Sequence, residues 1–243
     1  MTKVIVIDAA PRLETGNTQV LLNPFLVGMK HAGAQVDIVL LGRKDIKPCI
    51  GCFTCYATTP GVCVHADDMA SLVERIRRAD MMVLATPLYL DSLTGLAKVF
   101  IDRLVVFLDP HFVWENGRVR HSLRWKFPEK TFLVSVCGAP GLENFDLLVQ
   151  YMERFSETFH STFRGAMLRP ASFSLLLTKQ YAESIRTVLD AARAAGEELA
   201  TRGKVDPSIL AAVAADICPE EELVRTANAY WDRELSSSGD EPA

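Results

Sequence analysis

No stretch of this chain approaches the roughly 18 consecutive apolar residues that span a bilayer. Met1-Thr2-Lys3 runs straight into a β-branched segment, and nothing upstream of the cysteines resembles a secretory signal. Positive charge is not in excess either. The formal net charge is -4 with both signs interspersed, which argues against nucleic acid as a main partner because phosphate binding needs a basic surface. There is no internal repeat, and the single low-complexity piece is the polar tail from Ser236 to Ala243, expected to be disordered. These absences lead us to expect a soluble, cytoplasmic protein with no membrane partner, in which a reducing compartment keeps thiols out of disulfides.

What is present bounds the architecture. With 243 residues, 49% hydrophobic and 23% charged, the chain can bury one α/β domain with an extension and is too short for two large ones.

Four of the six cysteines crowd into fifteen residues. Cys49, Cys52, Cys55 and Cys63 have the spacing C-x2-C-x2-C-x7-C, which places three thiols on one tight loop and a fourth across a turn containing Pro60 and Gly61. Four thiolates with repeated two-residue gaps suit an iron-sulfur cubane, and Gly51 lets the backbone bend close to it. Zinc more often takes two separated C-x2-C knuckles, so three cysteines in series fit it less well. A cysteine-rich loop that loads no metal is the third reading. Cys137 and Cys218 read as buried small residues.

Along the chain, strands alternate with helices. Lys3 to Asp8 is a continuous apolar run and reads as a central parallel strand. It opens into the polar loop from Ala9 to Thr18 and then a helix with Leu21, Leu22, Phe25, Leu26 and Met29 on one face; Gly33 closes it and Pro24 should kink it. Such a loop, ending on a helix N-terminus with Arg12, Thr15, Asn17 and Thr18, is a phosphate site in principle and a plain capped turn otherwise. Gln35 to Leu41 is the second strand. Asp67 and Asp68 should cap a helix with its apolar stripe at Met69, Leu72, Val73, Ile76 and Ala79.

The third strand, Met81 to Ala85, stops at Thr86-Pro87-Leu88-Tyr89-Leu90-Asp91-Ser92. There a proline-fixed turn offers backbone amides and flat apolar surface together, as a flavin ring requires; the alternative is that Tyr89 is a core aromatic. Leu93 to Leu108 reads as one helix, with Lys98, Asp102 and Arg103 on its wetter face and Val99, Val106 and Phe107 widening its apolar arc toward a subunit interface. Phe112 to Arg120 reads as a hairpin turning at Asn116-Gly117. The basic residues of the inserted stretch 109–130 suit a lid, a docking surface for NADPH or an acidic partner, or an interface flap. Thr131 to Val136 is the fourth strand, followed by the small-residue loop from Cys137 to Gly141 and a helix opened by Asn144 or Asp146. Arg164 to Arg169 is the fifth strand, and helices follow over 180–202, 207–215 and 220–235.

The Pro-Arg...Gly-Asn-Thr loop at Pro11 to Thr18, the Pro-Cys...Cys...Cys...Cys...Asp-Asp-Met run from Pro48 to Met69, and Thr86-Pro-Leu-Tyr through Lys98 to Asp102-Arg103 together resemble the iron-sulfur flavoprotein branch of the flavodoxin-like NAD(P)H-dependent FMN reductase superfamily. The resemblance runs over nearly all of residues 3 to 235. It implies an α/β fold, a flavodoxin-like three-layer αβα sandwich with a five-stranded parallel sheet in the order 2-1-3-4-5, an inserted hairpin and a C-terminal helical extension. By the same resemblance, Arg12, Gly16, Asn17 and Thr18 would hold the FMN phosphate. Pro87, Leu88, Tyr89 and Leu90 would contact the ring, and Gly138 with Ala139 would form a third wall. Ala9-Ala10 replaces the family's usual Gly-Ser, so a phosphate-binding hydroxyl is missing and the backbone at Ala10 must serve.

We therefore expect residues 1–203 to form an FMN-binding domain carrying the cysteine loop at 46–66, residues 204–235 a helical extension, and 236–243 a tail. The implied activity is that of a redox flavoprotein binding FMN and, through Cys49, Cys52, Cys55 and Cys63, a [4Fe-4S] cluster, and passing electrons between ferredoxin or NAD(P)H and a small acceptor. No side chain is required as a general acid or base. A homodimer or homotetramer is expected. The alternatives are an NAD(P)H-dependent FMN or quinone reductase without a cluster and a zinc-stabilised binding module.

Overall fold

The structure, a computed structural model, describes residues 1–115 and 117–237. Five strands form one parallel sheet: β1 (Lys3–Asp8), β2 (Gln35–Leu40), β3 (Met81–Pro87), β6 (Lys130–Val136) and β7 (Thr162–Arg169), in the order β2-β1-β3-β6-β7. The remaining two, β4 (Leu108–Glu115) and β5 (Arg118–Leu123), pair with each other as an antiparallel hairpin. With the hairpin set aside, the order is the expected 2-1-3-4-5 of a flavodoxin-like sandwich. The hairpin brackets the expected turn, with Glu115 paired to Arg118, and Asn116 of that turn lies outside the described residues.

The pleat explains why β1 reads as an unbroken apolar run. Ile5 and Ile7 face one core with Leu72 and Ile76 of α3 (Met69–Arg77), Phe100 of α4 (Gly95–Arg103) and Met152 of α5 (Asp146–Thr158). Val4 and Val6 face the other with Leu21, Leu22 and Phe25 of α1 (Asn17–His31) and Val188, Ala192 and Leu199 of α6 (Ala182–Arg202). A strand buried on both faces has no polar phase. On the second face α1 and α6 meet backbone to backbone: a Cβ on Gly196 would lie 2.0 Å from the Phe25 carbonyl oxygen, and one on Gly28 2.0 Å from that of Arg193. Any side chain at either position would push the two helices apart. α1 stays helical through Pro24.

Several boundaries differ from the sequence reading. The expected helix from Leu93 to Leu108 is α4 followed by a 3-10 turn, Leu104–Phe107, with Leu108 already in β4. Val106 and Phe107, expected to face a neighbouring subunit, are buried within the chain, where Phe107 meets Trp125, Phe127 and Phe159 edge-on. Arg103 is not on the wet face with Lys98 and Asp102; it is 1% exposed. At the amino end of α3 the Asp67 carboxylate accepts from the Met69 amide, whereas Asp68 turns back to the Asp45 amide. β7 starts at Thr162, earlier than Arg164. α7 (Pro207–Ala214) joins the second core through Val213, and α8 (Glu220–Ser237) extends past the expected end, so Ser236 and Ser237 are helical; the rest of the expected tail lies outside the described residues.

The register sets the site. Asp8 pairs with Leu40 and with Ala85, Pro87 with Val136, and Val136 with Arg169, so the strands finish nearly level and their following loops share one edge.

Candidate functional site

At that edge one cleft of about 380 Å³ is lined by Ala10, Pro11, Arg12, Gly16, Asn17, Thr18, Pro87, Leu88, Tyr89, Val136, Gly138, Ser172 and Trp231. It sits outside β1 and β3, the switch point of this strand order, and its volume falls within the roughly 300–1,000 Å³ of small-molecule sites.

The first wall is built from β1 outward. Asp8 ends the strand buried and accepts from the Ala10 amide at 3.0 Å and from the Gln19 side-chain amide. Burial pushes its pKa up, and those two hydrogen bonds oppose the rise. After a 3-10 turn at Leu13–Thr15, Gly16 caps α1. A Cβ on Gly16 would press within 3.2 Å of the Arg12 Cβ, so a glycine there lets the two turns approach. The free amides of the first turn of α1, the positive end of its dipole and the exposed Arg12 thus converge on the cleft, an anion site by geometry. Asn17 Nδ2 donates to Ser172 Oγ at 3.3 Å, tying this loop to the 3-10 turn Ser172–Leu176 that follows β7.

The second wall is the turn after β3. The Leu88 amide donates to the Val136 carbonyl at 2.9 Å, and Tyr89 and Ser92 exchange both backbone hydrogen bonds across Leu90 and Asp91. Leu90 (φ 46°) and Asp91 (φ 60°) are both left-handed, the pattern of a type I′ turn. That conformation turns Leu90 away from the cleft, 99% exposed, while Tyr89 stays on its wall, 49% exposed. Gly138 also lines the cleft. Ala139 does not; its carbonyl is taken by the Ala171 amide at 2.8 Å.

Pro11, Val136, Ser172 and Trp231 complete the wall and were not among the expected residues. Ser172 follows a strand end at the same edge, so strand order alone could have suggested it. Trp231, 60% exposed on α8, had no local signal. α8 is seated by a small cluster of Ala171, Cys218 and Leu223, by Tyr230 against Phe173, and by the Tyr181 hydroxyl, which donates to Glu222 at 2.5 Å.

A second pocket gathers all four loop cysteines, with Ile50, Gly51, Phe53, Val64, His65, Arg103, Val105 and Val106. Gly51 (φ 65°) and Phe53 (φ 54°) bend the chain into the one-turn helix α2 (Thr54–Ala57), which buries Cys55. The Gly61 amide then donates to the Cys55 carbonyl at 2.8 Å. Trp125 lies against Gly61 so closely that a Cβ would sit 2.4 Å from its ring, which docks the loop on the hairpin end. Burial raises the Cys55 pKa, and the nearby Cys63, Cys49 and Cys52 raise it further, so the four sulfurs feel one another. The Thr54 hydroxyl and amide hold the exposed Cys52 thiol below its usual range. Among the described residues no group of three or more His, Cys, Asp or Glu side chains stands ready around one ion. In donor chemistry, four thiols lining one pocket match what a thiolate-ligated metal centre needs.

Arg103, which lines this pocket, is held in an ion pair. Arg103 donates from Nη1 to Asp67 Oδ2 at 2.6 Å and from Nη2 to Oδ1 at 3.1 Å, with the side chains 1% and 0% exposed. Although burial works to raise the Asp67 pKa, Arg103 and the Lys47 and Met69 amides hold it below the usual carboxylate range.

Among the described residues none of the hairpin lines the first cleft. Arg118 and Arg120 reach Glu157 of α5, Arg124 lies 3.5 Å from Asp109 and Lys126 3.6 Å from Asp80, so the basic insertion is pinned to the chain's own acids and is no lid over this site. Among the described residues no helix is long and apolar enough to cross a membrane.

A profile described as NADPH-dependent FMN reductase matches residues 2–127. An iron-sulfur flavoprotein of Archaeoglobus fulgidus is 35% identical over 105 residues, 43% of this chain and 46% of that protein. One from Methanocaldococcus jannaschii is 33% identical over 101 residues, 42% of this chain and 51% of its own length. The matches thus span about half the length of these curated relatives. Among solved structures, an NAD(P)H:quinone oxidoreductase from Methanothermobacter marburgensis superposes with TM-score 0.59 at 18% identity, over 81% of this chain and 95% of that one. An FMN-dependent NADH-azoreductase from Bacillus anthracis, in complex with FMN, does so with TM-score 0.59 at 13% identity, over 83% and 99%. At such identities these two share the fold.

Proposed function

The chain belongs to the NADPH-dependent FMN reductase family, and from that premise we propose that it is an FMN-dependent oxidoreductase of the iron-sulfur flavoprotein kind, a reading supported by its identity to such proteins. It would take electrons from NAD(P)H or ferredoxin and deliver them to a small acceptor, with FMN in the β1/β3 cleft and a [4Fe-4S] cluster on Cys49, Cys52, Cys55 and Cys63. The observation that carries the reading is the cleft itself, where a helix N-terminus and Arg12 stand at one part of the wall and Pro87, Leu88, Tyr89 and Trp231 at another. One part suits a phosphate and the other a flat aromatic ring.

When bound, FMN supplies the exchange between two-electron and one-electron transfer, and a cluster carries single electrons. The chain's own residues bind and orient. The α1 amides, Arg12, Asn17 and Thr18 would hold the phosphate without the hydroxyl that Ala10 lacks. Tyr89, Gly138 and Trp231 would flank the ring and exclude water from part of it. No lining residue is common to the two sites. The exposed Phe112 and Trp114 of the hairpin support association into a homodimer or homotetramer.

A second reading, a cluster-free NAD(P)H-dependent FMN or quinone reductase, is favoured by the solvent exposure of Cys49 and Cys52. One experiment separates the two: oxygen-free purification followed by flavin, iron and acid-labile sulfide assays and a visible spectrum. Stoichiometric flavin with iron and sulfide supports the cluster, and flavin alone supports the second reading. Protein with neither overturns both.

A further inference from the structure

We propose that Arg103 is the positioning residue of the cysteine pocket, locking both ends of the loop and setting the positive charge that its thiolates face; the second half rests on the reading of this pocket as a cluster site.

The geometry is that of a clasp. Lys47, two residues before Cys49, gives its carbonyl to Arg103 Nη1 at 2.6 Å and its amide to Asp67 Oδ2 at 3.0 Å. Asp67, four residues after Cys63, takes both arms of the guanidinium and the Met69 amide besides. Entry and exit of the loop are therefore joined through one buried cation delivered by α4. The carboxylate has all its hydrogen bonds made, whereas the guanidinium keeps Nε buried and without a partner. Arg103 and Cys63 line the same pocket, and the two interact electrostatically. Asp67 does not line it, so the four sulfurs face the cation with its counter-charge behind it.

A buried arginine is rare without a reason, because an unpaired charge is costly there. A surface helix position would have served α4 equally well, as the exposed Lys98–Asp102 pair on the same helix shows. Placing the cation against thiolates has a chemical consequence. The potential of a cysteine-ligated cluster rises when positive charge or hydrogen bonds act on its sulfurs.

The test uses the full chain in three variants, Arg103→Met, Arg103→Lys and Asp67→Asn, with flavin content and circular dichroism as folding checks. In metal-free protein the rate of Cys55 alkylation by iodoacetamide reports loop closure. Arg103→Met should raise it at least about tenfold, leaving Cys137 and Cys218 protected. After anaerobic loading with iron and sulfide, Arg103→Met should lower the midpoint potential of the visible bands, Arg103→Lys should return part of it, and Asp67→Asn should raise it. A merely structural role would not give shifts of opposite sign. Unchanged Cys55 protection in Arg103→Met overturns the clasp, and an unchanged potential in loaded Arg103→Met overturns the electrostatic role. If the Met variant does not fold, the Lys and Asn variants decide by the same readouts. Wild-type protein that takes up no iron defeats the cluster reading and the charge assignment built on it, while the alkylation rates still decide the clasp.

Discussion

The Thr94 hydroxyl joins two loops of the cleft: it donates to the Ala9 carbonyl at 2.9 Å and accepts from the Ala97 amide at 3.2 Å. It is the N-cap of α4 and at the same time the anchor of the loop that leaves β1. Thr94→Val keeps the shape and removes both bonds. It should cost about 1 kcal/mol in denaturant unfolding, the usual worth of a cap, and weaken FMN binding several-fold by fluorescence titration. Equal affinity in the variant would show that the Ala9 tether does not hold the phosphate loop.

Trp231 owes little of its surface to the fold and much of its position to the cleft. Trp231→Ala should therefore weaken FMN binding several-fold while leaving the melting temperature within about 1 °C, since an exposed side chain contributes little to stability. A variant that binds flavin as tightly as the wild type removes Trp231 from the site.

Leu90 is an exposed leucine held at positive φ, a conformation that costs an L-residue about 1–2 kcal/mol. Asparagine tolerates it, so Leu90→Asn should raise the melting temperature by about 2–4 °C. If the temperature stays level or falls, the leucine is making a contact that this turn does not reveal. A concurrent fall in turnover would show that the strained turn serves catalysis.

The hydrogen bond to Glu222, with burial adding to it, pushes the Tyr181 pKa up to about 12. The native state thus holds this proton more tightly than an unfolded chain, whose tyrosine titrates near 10. The contribution is complete below about pH 10 and is lost as the pH rises through about 12. Limited proteolysis of α8 should accelerate over that window in the wild type. In Tyr181→Phe it should already be fast at about pH 9. Identical cleavage in the two proteins at every pH would show that the pair does not seat the helix.

Fold and site were legible to different depths. The three central strands β1, β3 and β6 announce themselves because burial on both faces leaves no room for a polar phase, whereas the edge strands β2 and β7 are partly exposed and read less plainly; the hairpin announces itself through its Asn-Gly turn. The residues of the first cleft from Ala10 to Thr18 and from Pro87 to Tyr89 could be assembled in advance, since loops after parallel strands must meet at one edge. Leu90 and Ala139 stood in the right loops but off the wall: a type I′ turn reverses the direction of one, and a backbone hydrogen bond occupies the other. Neither leaves a trace in residue type.

Composition, periodicity and cysteine spacing determined by themselves the layered α/β architecture and the neighbourhood of four thiols, because each depends on residues close together in the chain; the strand order was implied by the family resemblance. Only the tertiary structure decided that Arg103 is buried, since its charge is tolerable only beside Asp67, 36 residues earlier. The same holds for Trp231, which α8 carries to a cleft formed by the first strands. A charge or an aromatic ring takes its role from what folding brings against it.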